Sequence, residues 1–117
     1  MKIAFSGSRD LEIGDMLIES ILQDHPGDIS ILVGDCPSGV DKIVRRYARR
    51  KKIPIAVYEA AWSTYGKGAG PLRNRKMVQD CDYFVAIWDG KSKGTLSAIK
   101  AAIDYTKSFQ VIVINDC

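Results

Sequence analysis

ISILVGDCPSGVDKIV, residues 29–44, holds the unit from which the fold is read. Ile29 to Val33 form a short apolar run that stops at Gly34, the pattern of a buried strand emptying into a loop. Gly34 and Gly39 flank Asp35, Cys36, Pro37 and Ser38, and Asp41 then opens a helix with Val40, Ile43, Val44, Tyr47 and Ala48 on its apolar side. Strand, glycine-bearing loop and helix together make one α/β unit. Asp35 reads equally as a turn former and as a carboxylate facing a ligand crevice, where it could accept from ribose hydroxyls. The other helix face carries Lys42, Arg45, Arg46, Arg49 and Arg50, running on to Lys51 and Lys52. Such a run is ordinarily a solvated face, and it could also meet an acidic partner or nucleic acid.

Working outward, the unit recurs. Ile3 to Phe5 end at Ser6-Gly7-Ser8-Arg9, a strand followed by two hydroxyls, a glycine and a cation. Ile13 to Gln23 follow as an amphipathic helix with Ile13, Met16, Leu17, Ile21 and Leu22 at helical spacing. Ile53 to Tyr58 read as a third strand, with Pro54 at its start where a ladder donor can be spared. Tyr83 to Trp88 form an aromatic and β-branched fourth strand, leading through Asp89-Gly90-Lys91-Ser92-Lys93-Gly94-Thr95 into a helix. Gln110 to Ile114 give a fifth strand before the polar tail Asn115-Asp116-Cys117. The alternation predicts a Rossmann-like α/β fold, a single domain over 1–117, with a mainly parallel five-stranded sheet and helices on both faces. Its loops at the strand carboxyl ends should converge on one crevice.

The least typical segment is WSTYGKGAGPLRNRKM, residues 62–77. Glycines, a proline and basic groups crowd between two apolar runs, the composition of a surface loop. Pro71 predicts a helix start there, with Arg73, Asn74, Arg75 and Lys76 beside unpaired backbone N–H groups, a setting suited to an anion or, equally, to a solvated basic turn.

At 117 residues and a net charge of +3, with 26% charged residues, the chain is expected to be one globular domain rather than a dedicated nucleic-acid binder. No apolar run is long enough to span a bilayer and the N-terminus turns polar early, so no membrane partner and a cytoplasmic location are expected. Cys36, Cys81 and Cys117 are far apart in sequence and read as reduced thiols. His25, the single histidine, sits in a polar turn and reads as a surface residue. No metal constellation is visible, and no cofactor is expected.

FSGSR after the first strand, the layout of Gly34, Gly39 and Asp41, the segment AAWSTYGKGAGPLRNRKM and the late Gly94-Thr95 together resemble the YspA-related branch of the SLOG superfamily. The resemblance spans nearly the whole chain and implies a nucleotide or nucleotide-derived ligand. It is carried most specifically by Trp62, Tyr65, Gly66, Lys67, Ala69, Gly70, Pro71, Arg73, Asn74 and Met77. The superfamily also includes the Lonely Guy phosphoribohydrolases, whose arginine and glutamate act on a nucleoside monophosphate. Here Arg73 stands at the arginine and Ala98 at the glutamate, while Asp89 and Lys91 replace a proline and a glycine of the family loop. An alanine can neither stabilise a cationic sugar nor activate water.

The resemblance therefore favours a binding module, for sensing or sequestration, that is not an enzyme. The alternative is an N-glycosidic or phosphoribosyl hydrolase recruiting Asp35 or Asp41 beside Arg73, and a third reading is a single-strand nucleic-acid binder using Lys42 to Lys52. In the favoured reading Gly7, Ser8, Arg9, Gly94 and Thr95 contact phosphate, with Arg73 and Lys67 adding charge. Gly34, Asp35, Ser38, Gly39, Asp41, Gly70 and Asn74 complete the crevice. Trp62 or Tyr65 is a candidate to stack on a base, although such aromatics more often simply pack. The relatives' habit of pairing implies a homodimer.

Overall fold

The computed structural model describes residues 1–114; Cys117 and the rest of the expected polar tail lie outside them. Five strands and five α-helices follow in order: β1 (Lys2–Gly7), α1 (Asp15–Gln23), β2 (Ser30–Gly34), α2 (Gly39–Arg50), β3 (Ile55–Tyr58), α3 (Trp62–Tyr65), α4 (Ala69–Asp80), β4 (Tyr83–Trp88), α5 (Lys93–Asp104) and β5 (Ser108–Val113). A 3-10 turn, Gly66–Gly68, joins α3 to α4. The sheet order is β3-β2-β1-β4-β5 and every neighbouring pair is parallel. Strands β1 to β3 are laid down in one direction and β4 and β5 in the other. The reversal lies between β1 and β4, where Ser6 is opposite Ala86 and Gly7 opposite Ile87.

Side chains alternate across the sheet with the two-residue period of a strand. Ile3 and Phe5, Ile31 and Val33, and Val85 and Ile87 face one side, where they join Ile18 and Ile21 of α1 and Val40, Val44 and Tyr47 of α2. Ala4, Leu32, Phe84 and Ala86 face the other, against Met77 and Val78 of α4 and Ala98, Ala101 and Ala102 of α5. On this second face α5 presents the alanines Ala98, Ala101 and Ala102, which let it pack closely on the sheet.

Several boundaries differ from those expected. Met16, placed by periodicity on the apolar side of the first helix, is 83% exposed, because α1 begins only at Asp15 and buries Ile18, Ile21 and Leu22 instead. Helix α2 starts at Gly39, so Asp41 lies within its first turn. The segment read as a loop folds into α3 and the 3-10 turn, and α4 begins at Ala69 rather than Pro71. Gly70 makes the earlier start possible, since an added Cβ would press on the Trp62 ring at 3.2 Å. Arg73, Arg75 and Lys76 therefore lie past the first turn of α4, away from the amides that lack intrahelical partners. Both edge strands are partly open: Val57 on β3 and Phe109 and Val113 on β5 are exposed.

Candidate functional site

The loop after β1 is held by the start of α2. A Cβ on Gly7 would fall on the Val40 side chain, and Gly39, at φ +68°, would with a Cβ meet the Arg9 backbone within 2.5 Å. Only glycine satisfies both the left-handed backbone and the close approach at position 39. The Val40 amide donates to the Ser8 carbonyl at 3.3 Å, and the Ser38 hydroxyl donates to the Arg9 carbonyl at 3.1 Å. Gly7, Gly39 and Ser38 thus serve contacts inside the protein, and through them fix the backbone of Ser8 and Arg9. Ser8 is buried, and its hydroxyl accepts from the Asp89 amide at 3.1 Å, tying this loop to the one after β4.

The loop after β4 organises itself around its own carboxylate. Asp89 Oδ1 accepts from the Lys91 and Ser92 amides, both at 2.8 Å, and these bonds hold its carboxyl below the usual range. Ser92 caps α5, its hydroxyl accepting from the Thr95 amide, while the Thr95 hydroxyl donates to Ser92 Oγ at 3.3 Å. Trp88 Nε1 donates to the Ser92 carbonyl at 3.0 Å and steadies the turn. Two of the amides that a bound anion would use are therefore already taken by Asp89. Lys93 and Gly94, the first two residues of α5, have helix-start amides with no intrahelical acceptor. Beyond its chain neighbours and the backbone of its own helix, nothing lies within 4 Å of a Cβ built on Gly94.

Between these loops, at the sheet reversal, lies a cavity of about 440 Å³ lined by Ser8, Arg9, Asp10, Asp89, Lys91, Ser92, Lys93 and Gly94. Ligands of open α/β sheets bind at such a reversal. Of the residues expected at the site, Ser8, Arg9 and Gly94 line this cavity. Thr95 is buried immediately behind Gly94.

A second group gathers above the end of β2. A Cβ on Gly34 would lie 2.6 Å from both Arg73 Nη1 and Asp41 Oδ2, so the glycine makes room for this pair. Arg73 Nη1 donates to Asp35 Oδ1 at 2.8 Å and to the Tyr58 carbonyl at 3.3 Å, while Nε donates to Asn74 Oδ1 at 2.8 Å. Asn74 Nδ2 in turn donates to the Gly94 carbonyl at 3.2 Å. A chain of bonds from Asp35 through Arg73 and Asn74 thus crosses the strand ends and reaches the first turn of α5. Asp41 is 6% exposed, and burial pushes its carboxyl up to about 6 against the opposing pull of Arg73, the Cys36 amide and Arg45.

Arg45 was expected on the solvated basic face. Instead Nη1 donates to the Gly34 carbonyl at 2.7 Å and Nη2 to the Cys36 carbonyl at 2.8 Å. Helical side chains lean toward the N-terminus, so a long side chain one turn after Asp41 reaches back to carbonyls at the end of β2 and in the loop that follows it. That spacing was the available signal. Lys93 and Lys91 were likewise not expected as ligand contacts, although Lys93 adjoins Gly94 in the first turn of α5.

Trp62, Tyr65, Lys67 and Gly70 are not brought to the reversal cavity. Trp62 lies over Gly70, Lys67 is exposed in the 3-10 turn, and Tyr65 lines a smaller cavity of about 180 Å³ with Tyr58, Leu72 and Arg73. Among the described residues no three His, Cys, Asp or Glu side chains gather as a metal-holding group. No helix among them is long and apolar enough to cross a membrane.

A search among curated proteins returned no match. The profile of the YspA, cpYpsA-related SLOG family matches residues 1–65, from β1 through α3. That stretch carries the loop after β1, the Gly34 to Asp41 turn and the aromatics of α3, and covers more than half of the chain. The protein belongs to the YspA, cpYpsA-related SLOG family.

Proposed function

We propose that the cavity at the sheet reversal binds a nucleotide or nucleotide-derived small molecule, for sensing or sequestration. The observation that carries this reading is the meeting, at one concave surface, of Arg9, Lys91, Lys93 and the first turn of α5. Cations and open helix-start amides favour a phosphate group. Family membership supports a nucleotide-related ligand. Asp10, exposed in the same lining, offers an acceptor for sugar hydroxyls.

A thermal-shift panel of nucleotides and sugar phosphates tests the proposal. A ligand at a hundred times its Kd stabilises the folded state by about 2.7 kcal/mol, which raises the unfolding midpoint by several degrees. Lys93→Ala should weaken that binding by about 1.5 to 3 kcal/mol, the range for hydrogen bonds to charged groups. A flat response to every nucleotide and sugar phosphate would sink the reading.

The hydrolase alternative draws on one specific feature, the buried Asp41 carboxyl raised to about 6 beside Arg73. A carboxyl in that range is suited to exchanging a proton near neutral pH. Release of free base from nucleoside monophosphates by the parent chain, abolished by Asp41→Asn, would favour the enzyme over the binding module.

A further inference from the structure

A larger concavity adjoins the reversal cavity. It measures about 600 Å³, lies between the loop after β1 and helix α2, and shares Arg9 and Asp10 with its smaller neighbour. Arg9 therefore stands on the ridge between the two. Its backbone is fixed there by the Ser38 hydroxyl and by the packing of Gly39, while its side chain is exposed. Both volumes fall within the roughly 300 to 1,000 Å³ of small-molecule sites.

The two walls of the larger groove differ in charge. Asp10 and Glu12 line the loop side, and Lys42 and Arg46, one helical turn apart, line the α2 side. Arg9, Lys42 and Arg46 form no ion pair among the described residues, whereas Asp15, a third carboxylate in the lining, is engaged by Arg50. Carboxylates on one wall repel a continuous polyanion and accept hydrogen bonds from a sugar diol. Cations on the other attract phosphate. A nucleic-acid strand is disfavoured by that lining, and a nucleoside joined through phosphate is favoured.

We infer that the ligand of this protein has two halves, with a phosphate bridge at Arg9, one nucleoside in the reversal cavity and a second in the groove between the β1 loop and α2. The inference rests on the reading of the reversal cavity as a nucleotide site. It goes beyond that reading by assigning a second subsite and a dinucleotide class of ligand.

Gly14 lines the same groove and offers a steric probe. Its backbone, at φ −84° and ψ 158°, suits any residue, and nothing beyond its chain neighbours lies within 4 Å of an added Cβ. Gly14→Phe places a ring in the groove without a clash at its first atom. Titration calorimetry compares ADP with diadenosine diphosphate on the parent, on Gly14→Phe and on Arg46→Ala.

The expected result is at least tenfold tighter binding of the dinucleotide by the parent. Each variant should bring the dinucleotide down toward ADP while ADP itself binds as before. Equal affinity of the parent for both compounds overturns the second subsite and leaves the nucleotide reading standing. A dinucleotide advantage that survives both variants also overturns it, because the second half then lies elsewhere. Binding of neither compound overturns the assignment of a dinucleotide ligand, and the reversal-cavity reading is then decided by the thermal-shift panel. Circular dichroism of the variants separates lost binding from lost folding.

Discussion

Ala98→Glu is expected to destabilise the protein severely rather than to create a hydrolase. In the resemblance to the phosphoribohydrolases this position holds a glutamate, so the substitution is the obvious test for latent activity. Ala98 is 0% exposed and sits in the apolar cluster with Ala4, Met77, Phe84 and Ala102. A glutamate there adds three heavy-atom shells to a close-packed face and brings a carboxyl without a hydrogen-bond partner. Overpacking alone typically costs about 1 to 3 kcal/mol, and an unpaired polar group adds roughly 1 to 3 kcal/mol or more. The combined cost of about 4 kcal/mol is a large part of the roughly 5 to 15 kcal/mol that holds a domain together. Urea titration should show a midpoint far below that of the parent. A variant as stable as the parent would mean that α5 can rotate its small-residue face away from the sheet.

Asp41→Asn is expected to act in the opposite direction, stabilising the protein at pH 7. The Asp41 carboxyl titrates at about 6 in the folded chain against 3.8 as the ordinary value. Because the folded state holds this proton more tightly, stability falls as pH rises from about 4 to 6, and the full penalty persists above 6. That difference corresponds to roughly 3 kcal/mol at pH 7. Asparagine keeps an acceptor for the Cys36 amide and carries no charge to bury, so it should recover much of this and remove the pH dependence between 4 and 6. Asp80 and Asp89 work the other way. Their carboxyls are held below the usual range, by the Tyr58 hydroxyl and by the Ser92 and Lys91 amides respectively, so the stability they contribute is lost only at lower pH. The parent should therefore be most stable on the acidic side of neutrality. Destabilisation of Asp41→Asn at pH 7 would show that the attraction of Arg73 exceeds the cost of burial. A buried acid that weakens the fold at neutral pH is the kind of feature retained at functional positions at the expense of stability.

The fold was legible because short apolar runs and glycine-bearing loops repeat along the chain. Parallel pairing follows from helical crossovers between the strands, whereas the reversal between β1 and β4 is set by tertiary packing. The start of α4 was less legible, since Gly66, Gly68 and Gly70 offer no apolar period and the contact between Trp62 and Gly70 is tertiary. At the site, the glycine loops could be read, but not what fills the space their missing side chains leave. Val40 occupies it at Gly7, and Arg73 with Asp41 occupies it at Gly34. The Asp89 turn was equally hidden, because a carboxylate closing on the amides two and three residues ahead looks in sequence like the polar part of a phosphate loop. The two-cavity ridge at Arg9 depends on how α2 meets the sheet, which no local pattern encodes.

The position of β1 at the centre of the sheet bears on how the chain is made. Its partner on one side, β2, follows within about thirty residues, but its partner on the other side, β4, includes Phe84 opposite Ala4 and Val85 opposite Phe5. The Lys2 amide donates to Asp82, and Ser8 accepts from Asp89, across sequence separations of 80 and 81. A nascent chain emerging from the ribosome can thus assemble β1, β2 and β3 while the other side of β1 remains an unpaired apolar edge. Non-local parallel pairing is slow, and an open edge is a template for other chains. Synthesis passes through its most association-prone interval between the emergence of β3 and that of β4, and the same late closure completes the reversal cavity.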